Sequence, residues 1–505
     1  MLASRRAWAL LLTAFAIGLL GDHLLRAPLW GLNVALGLTV MAAAAFAASR
    51  RPATDRSACA DPAESEGRSE TARWPWLAAA FFAAMWAVRD SEPLLVMNLL
   101  AALGLACLPL IGGGPAGLRR AGVVDVVAAI IGTAWRTATG GADLVRNLGS
   151  LPVAWRTVGA VGVGLLLAIP VVLIFGALFA SADPLFDKMV SSLVGVRFGS
   201  LLSHVLLTVV LTWLAAGYLW THAAPRPISL PSLPAVRLGQ VQVAVILGAT
   251  VLVFALFVAV QAGSLFGGEA FVRNQTGLTY AEYARRGFFQ MIVAAALSLP
   301  LVYAAPIAAG LAEGRSVHVL RALMTAQLGL VVLVLASAVW RLGLYVRAYG
   351  LTEDRLYGGA VLLWIALVIA ALVPAVRRGR PEGAVFGAIR AAVVVLMALN
   401  LVNPAALVAR YNLSHQERRA ADVKYLARLG ADAVPVLVER LNEVIPEGRC
   451  ELAATLVRRY ETTRGDWRGW NLARWRARRS AMALKPLVEL CPDRAHERSS
   501  LHLRP

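Results

Sequence analysis

Eleven runs of predominantly apolar residues, most of them about twenty long, divide this chain and constrain its fold more than any other feature. A helix rises about 1.5 Å per residue, so roughly twenty residues carry it across the ~30 Å of hydrocarbon in a bilayer. Candidate spans fall near 7–21, 28–48, 74–88, 94–111, 158–180, 200–220, 240–264, 288–309, 322–345, 358–376 and 387–403. The first and third are short. Of the 505 residues 58% are apolar, above the roughly 45–50% of soluble domains. The expected class is therefore all-α: a polytopic transmembrane helical bundle of about 11 spans with a small soluble α-helical C-terminal domain.

Arg5 and Arg6 ahead of an apolar run have the form of a signal peptide. However, a second span follows after a short loop, and no small-residue cleavage site precedes Asp22, so a retained helix is expected. The net charge of +19 is read first as topology and not as nucleic-acid binding. With the N-terminus inside, the inner segments hold 19 basic residues and the outer loops 9. That asymmetry predicts a cell-membrane protein with a cytoplasmic N-terminus, and an odd span number then puts the C-terminal domain outside. Arginine outnumbers lysine 46 to 3, which reads as the codon bias of a GC-rich bacterial genome.

Six segments are expected. Residues 1–48 hold the first two transmembrane helices, and 49–73 have the polar, mixed-charge composition of a disordered cytoplasmic linker. Residues 74–111 form a transmembrane helix pair, and 112–157 an interfacial amphipathic segment around VVDVVAAIIGTAW. The main bundle occupies 158–403, and 404–505 form the soluble helical domain. In that domain VKYLARLGADAVPVLVERLNEV reads as two helices joined at Gly430, where a left-handed glycine ends the first and Asp432 caps the second. Farther on, Trp467, Trp470 and Trp475 stand among arginines, a pattern suited to docking on the membrane interface.

No phosphate-binding loop, HExxH or CxxC occurs, and GGGPAG at 112–117 follows a span instead of a strand, so a dinucleotide reading fails on context. No metal set and no cofactor are expected. The unusual loops fall on one predicted face. RNQTGLTYAEYARRGFF, residues 273–289, carries Tyr280, Glu282, Tyr283 and Arg285, with Thr279 and Glu282 in a capping-box arrangement. Arg341 lies inside a span, where charge is costly, and Tyr345 and Arg347 follow it. Asp183 and Asp187 stand four residues apart, with Pro184 fitting a first helical position behind an Asp183 cap. Asp183, Asp187, Tyr280, Glu282, Tyr283, Arg285, Arg341, Tyr345 and Arg347 form the candidate outer-face cluster. The alternative is an aromatic belt with snorkelling arginines. Pairing of Arg341 with Glu282 or Asp183 is one expectation, and contact with substrate or headgroup another. Cys450 and Cys491 share the tail and are candidates for a disulfide, with two free thiols as the alternative.

GLTYAEYARRGFF, RLGLYVRAYGLTEDRLY, and NPAALVARYN followed by VKYLARLGADAVPVL resemble a bacterial membrane-protein family labelled domain of unknown function 4173, with the related 4153 group. The resemblance covers roughly 160–480 and implies a multi-span membrane fold; it carries no catalytic role to any residue here. The function expected is that of a binding or scaffold protein of the bacterial envelope, with the bilayer and an envelope lipid or protein as partners. A membrane enzyme acting on a lipid-linked substrate, with Asp22, Asp183 or Asp187 as base, is the alternative, and a transporter the third class.

Overall fold

In a lipid environment the backbone must satisfy its own hydrogen bonds, which leaves helices as the local solution for each apolar run. The computed structural model describes residues 2–50, 73–111, 114–148, 196–225, 238–266, 287–309, 316–378, 383–415, 422–461 and 465–491, with parts of 168–193. Among the described residues the chain is 88% helical and contains no strand.

The bundle helices are α1 (Leu2–Leu25), α2 (Leu32–Ser49), α3 (Trp74–Ala84), α4 (Glu92–Cys107), α5 (Val123–Arg146), α6 (Val196–Ala223), α7 (Gln240–Phe266), α8 (Phe288–Ala308), α9 (Ser316–Tyr349), α10 (Glu353–Arg378) and α11 (Ala384–Val402). Nine helices among the described residues are long and apolar enough to cross a membrane. They match nine of the eleven expected runs. The run at 74–88 is a shorter apolar helix, Trp74–Ala87, and that at 158–180 lies mostly outside the described residues. The linker expectation for 49–73 likewise falls almost wholly outside them. Large apolar side chains such as Leu12, Leu100, Leu252, Leu256 and Leu297 are exposed on the outward faces, as a lipid-facing surface requires.

Two half-bundles share the work. In the first, α1 runs antiparallel to α6, so that Ala7 and Leu219 meet in one core while Asp22 meets His204 at the opposite end. In the second, α7 to α10 enclose Leu247, Phe288, Leu299, Val331 and Ile365. The seam between halves is α4 against α11. There Asn98 and Asn400, both fully buried, exchange side-chain hydrogen bonds of 2.9 and 2.8 Å. Asn98→Leu leaves the Asn400 side-chain oxygen without its donor, while the amide nitrogen keeps the Leu396 carbonyl, and a loss of about 0.6–1.7 kcal/mol is expected from such pairs between membrane helices. The double change to Leu removes both unsatisfied groups and is expected to recover much of that loss. A double-mutant cycle on unfolding in detergent checks both statements.

Apolar burial does not drive helices together inside lipid, so close packing has to. A Cβ on Gly217 of α6 would overlap the carbonyl oxygen of Thr137 on α5, and one on Gly18 of α1 would overlap the Thr212 hydroxyl of α6. Gly217→Ala is expected to push α5 off α6 at a cost of about 1–3 kcal/mol, seen as a lower unfolding midpoint. The α5 segment is amphipathic in a specific sense. Small residues Ala128, Ala129, Thr133, Gly140 and Gly141 face inward, and Val124, Val127, Ile131 and Trp135 face out. It packs along α6, with Trp213 Nε1 donating to the Ala138 carbonyl at 2.8 Å.

After α11, Asn403 adopts φ 59° and turns the chain; its side chain accepts from Ala406 N and caps α12 (Pro404–Ser414). The tail continues through α13 (Val423–Arg428), α14 (Val434–Glu439), α15 (Pro446–Glu461) and α16 (Leu472–Met482) around its own core of Val408, Leu426, Leu437, Leu452, Leu456 and Ala477. A disulfide joins Cys450 to Cys491. Gly430 differs from expectation: φ is −63°, an ordinary conformation, and a 3-10 turn over Ala431–Ala433 replaces the left-handed cap. Asp432 lies within that turn, and its carboxylate is drawn away to the bundle.

Candidate functional site

The α1–α2 hairpin, the α3–α4 turn, the α9–α10 turn and Asn403 all end at the same side of the bundle, and the tail sits on them. The polar groups left over by helix ends there are taken up across the junction. Asp432, almost wholly buried, accepts from Arg89 Nη1 at 3.1 Å and from the backbone N of Asp90 at 2.6 Å. Arg89 also donates through Nε to the carbonyl of Asn400, one of the orphan acceptors at the end of α11. Arg474 pairs with Asp90 at 2.6 Å and donates to the carbonyls of Trp30 and Gly469. Asn471 caps α16 with its oxygen and gives its amide hydrogens to the carbonyls of Trp86 and Arg89. Arg468, paired with Asp466, reaches the His23 carbonyl at 2.5 Å, and the N–H of Leu32 donates to Trp470 O at 2.8 Å. On the other half-bundle, Asn412 accepts from Leu351 N and donates to Leu351 O.

The electrostatics of this junction follow from its dryness. Burial pushes the Asp90 carboxyl above its usual value; Arg474 pulls it back, and the Asp432 carboxylate nearby adds to the rise. Burial also pushes Tyr460 up to about 12, so it stays protonated. For Asp90 the docked form therefore binds a proton more tightly than the released form. Its contribution to docking is fully present below the ordinary value of 3.8 and is lost as pH rises through the raised one. The tail's thermal midpoint in wild type should thus fall relative to Asp90→Asn as pH increases from 3.8; a wild-type advantage growing with pH would contradict this assignment.

A second polar cluster stands beside the hairpin. Asp22 accepts from Arg26 Nε at 2.8 Å and lies 2.5 Å from His204 Nδ1, and Arg26 reaches Ser203 Oγ at 2.7 Å. Asp22 is buried while His204 is half-exposed.

The sequence-derived cluster is dispersed in comparison. Tyr280, Glu282, Tyr283 and Arg285 lie outside the described residues, as does the side chain of Asp187. Asp183 is exposed and takes the expected capping position, accepting from Leu185 N at 2.8 Å ahead of the helix Pro184–Leu193. Arg341 is buried near Gly287, which begins α8 with φ 78°. Tyr345 lies under the Arg355 guanidinium, 3.9 Å from ring centre to Cζ, and Arg347 is exposed. Arg89, Asp90, Asn471 and Arg474 were not among the candidate site residues, although their segments, the outer-face loop RDSEPLLVMN at 89–98 and the Trp–Arg stretch DWRGWNLARWRARR at 466–479, stand out in the sequence. Among the described residues no group of three or more His, Cys, Asp or Glu could hold a metal ion.

No curated protein and no solved structure matches this chain. A family description does match, over residues 76–440, which span both half-bundles and reach Asp432 of the junction. The matching group is the 4153 one, named above as the related group. With its membrane-spanning helices and this match over most of its length, the chain is a membrane protein that belongs to the family described as Domain of unknown function (DUF4153).

Proposed function

We propose that the protein is a binding protein of the cell envelope, with its N-terminus in the cytoplasm and its tail domain held as a fixed recognition surface on the outer face. The observation that carries this reading is the junction itself. Arg89, Asp90, Asp432, Asn471 and Arg474 are spent on holding the tail to the bundle, and the tail presents exposed Trp475, Arg476 and Arg479 beyond it. A preorganised aromatic and cationic surface suits recognition of a protein partner. The basic-residue asymmetry between loops and the tail disulfide support the outer placement.

The test uses a photo-crosslinking amino acid at Trp475 or Arg479 in intact cells, with the lipid-facing Leu100 as control. A discrete heavier adduct from the tail positions, lost in Asp432→Ala, is the expected result; no adduct at either position overturns the reading. For placement, Arg476→Cys in a chain lacking Cys59 and Cys107 should react with an impermeant maleimide without lysis. Protection until lysis would place the tail inside.

The Asp22 and His204 pair favours a second reading, the membrane enzyme. A buried carboxylate fixing one ring nitrogen leaves the other, Nε2, to act as a general base on a half-exposed ring. His204→Gln leaves partner capture unchanged under the first reading and abolishes turnover under the second.

A further inference from the structure

The first half-bundle encloses a partly open cavity of about 430 Å³ between α1, α2, α3, α4 and α6. Its walls are apolar, with Leu20, Leu24, Val34, Leu38, Leu103 and Leu211 facing it. On α2 the lining runs from Asn33 to Ala42, which at 1.5 Å per residue makes a slot roughly 14 Å long, parallel to the helices. Gly37 shows that the space is real. A Cβ built there meets nothing within 4 Å, whereas one on Gly18 or Gly217 collides with a neighbouring helix. Protein interiors are close-packed, and water does not fill an apolar void. In a bilayer the filler at hand is a hydrocarbon chain.

The tail-side end of the slot differs in character. Trp30 and Trp86 stand there with ring centroids 6.5 Å apart, beneath the contacts of Arg474 and Asn471. The Asn33 amide is fully used, accepting from Gly31 N and Val34 N and donating to the carbonyls of Leu24 and Leu29. The Trp86 indole N–H has no acceptor among the described residues, but it is buried away from the cavity, which the ring lines through its other atoms. Tryptophans favour the headgroup level of a bilayer, so this end is where the headgroup of a bound lipid would stand, with its hydrocarbon in the slot.

We infer that this cavity is a binding site for one acyl chain of a membrane glycerolipid, lying along α2 with its headgroup end toward Trp30 and Trp86. This goes beyond the role assigned to the tail and does not depend on it. Full-length protein in nanodiscs of phosphatidylglycerol and phosphatidylethanolamine, doped with a phospholipid carrying a diazirine near the chain end, tests it. On photolysis, peptides covering 33–42 and 99–106 should label above the lipid-facing Leu252 and Leu256 of α7. Gly37→Leu puts a side chain into the slot, where a Cβ meets nothing within 4 Å, and should cut the cavity labelling at least fivefold while leaving α7 unchanged. Leu38→Trp narrows the slot from the same helix, and retention of lipid through detergent washing should fall severalfold with it. Cavity peptides labelled no more than α7, or labelling and retention that neither variant changes, would overturn the assignment.

Discussion

Asp432→Ala is expected to release the tail from the bundle, at a cost of about 3–5 kcal/mol. The carboxylate is 3% exposed and its partner Arg89 15%, so removing the acid leaves a guanidinium charge in a dry junction without its counter-ion. The backbone N–H of Asp90 loses its acceptor in the same step. Two carbonyls of α11 that Arg89 also serves, Asn400 and Leu401, cannot neutralise the charge. Asp432→Asn keeps an acceptor but not the charge and should fall between wild type and alanine. Limited trypsin digestion in detergent reads the result as rapid cleavage between a bundle fragment and a tail fragment. Because the tail has its own core, the bundle's unfolding midpoint should move far less than the cleavage rate. Wild-type resistance in the alanine variant would show that the Asp432 contacts do not hold the domain.

The second large effect concerns the tail alone. Cys450 and Cys491 are separated by 41 residues, and loop-closure entropy for a ring of that size corresponds to about 4 kcal/mol. Cys491→Ser, or reduction of the wild type, should lower the tail's unfolding midpoint and leave the bundle's in place. Cys450→Ser combined with Cys491→Ser should be insensitive to reductant. A wild type equally insensitive would mean that the thiols are free in the native protein. The bridge ties the C-terminal end of the tail to α15, whose other contacts include the buried Leu452 and Leu456, so its loss is also expected to loosen the ground on which α16 presents Arg474 to Asp90.

The spans were legible because each is a local property: length and apolar content decide whether a helix can cross, and nothing distant has to be known. The tail was legible for the same reason, as an abrupt change of composition after Asn403. Its cysteine pairing had few alternatives, since only two cysteines share that domain. The junction was not legible. Asp432 meets Asp90 across 342 residues of sequence, and hydrophobic periodicity carries no information about such a meeting. Read locally, Asp432 was a helix cap; the stronger acceptor demand of Arg89 and Asp90 N redirected it. Asp22 was read on its own as a candidate base, and His204 stands far from it in sequence. Antiparallel packing of α1 on α6 brings them together over 182 residues. The aromatic and cationic segment at 273–289 drew attention by composition, a signal that marks an unusual surface without saying what it faces.

The tail bridges both half-bundles, touching the α1–α2 hairpin and α3–α4 turn on one side and the α9–α10 turn on the other. It also follows, in chain order, each of the nine spans found among the described residues. During synthesis, therefore, the helices enter the bilayer before the piece that fastens their ends exists, and the fastening waits for the tail to be made and to fold. A nascent chain is complete in its membrane-embedded part while still unlatched, which makes the interval after insertion the period in which membrane proteases and chaperones can tell a finished molecule from an unfinished one.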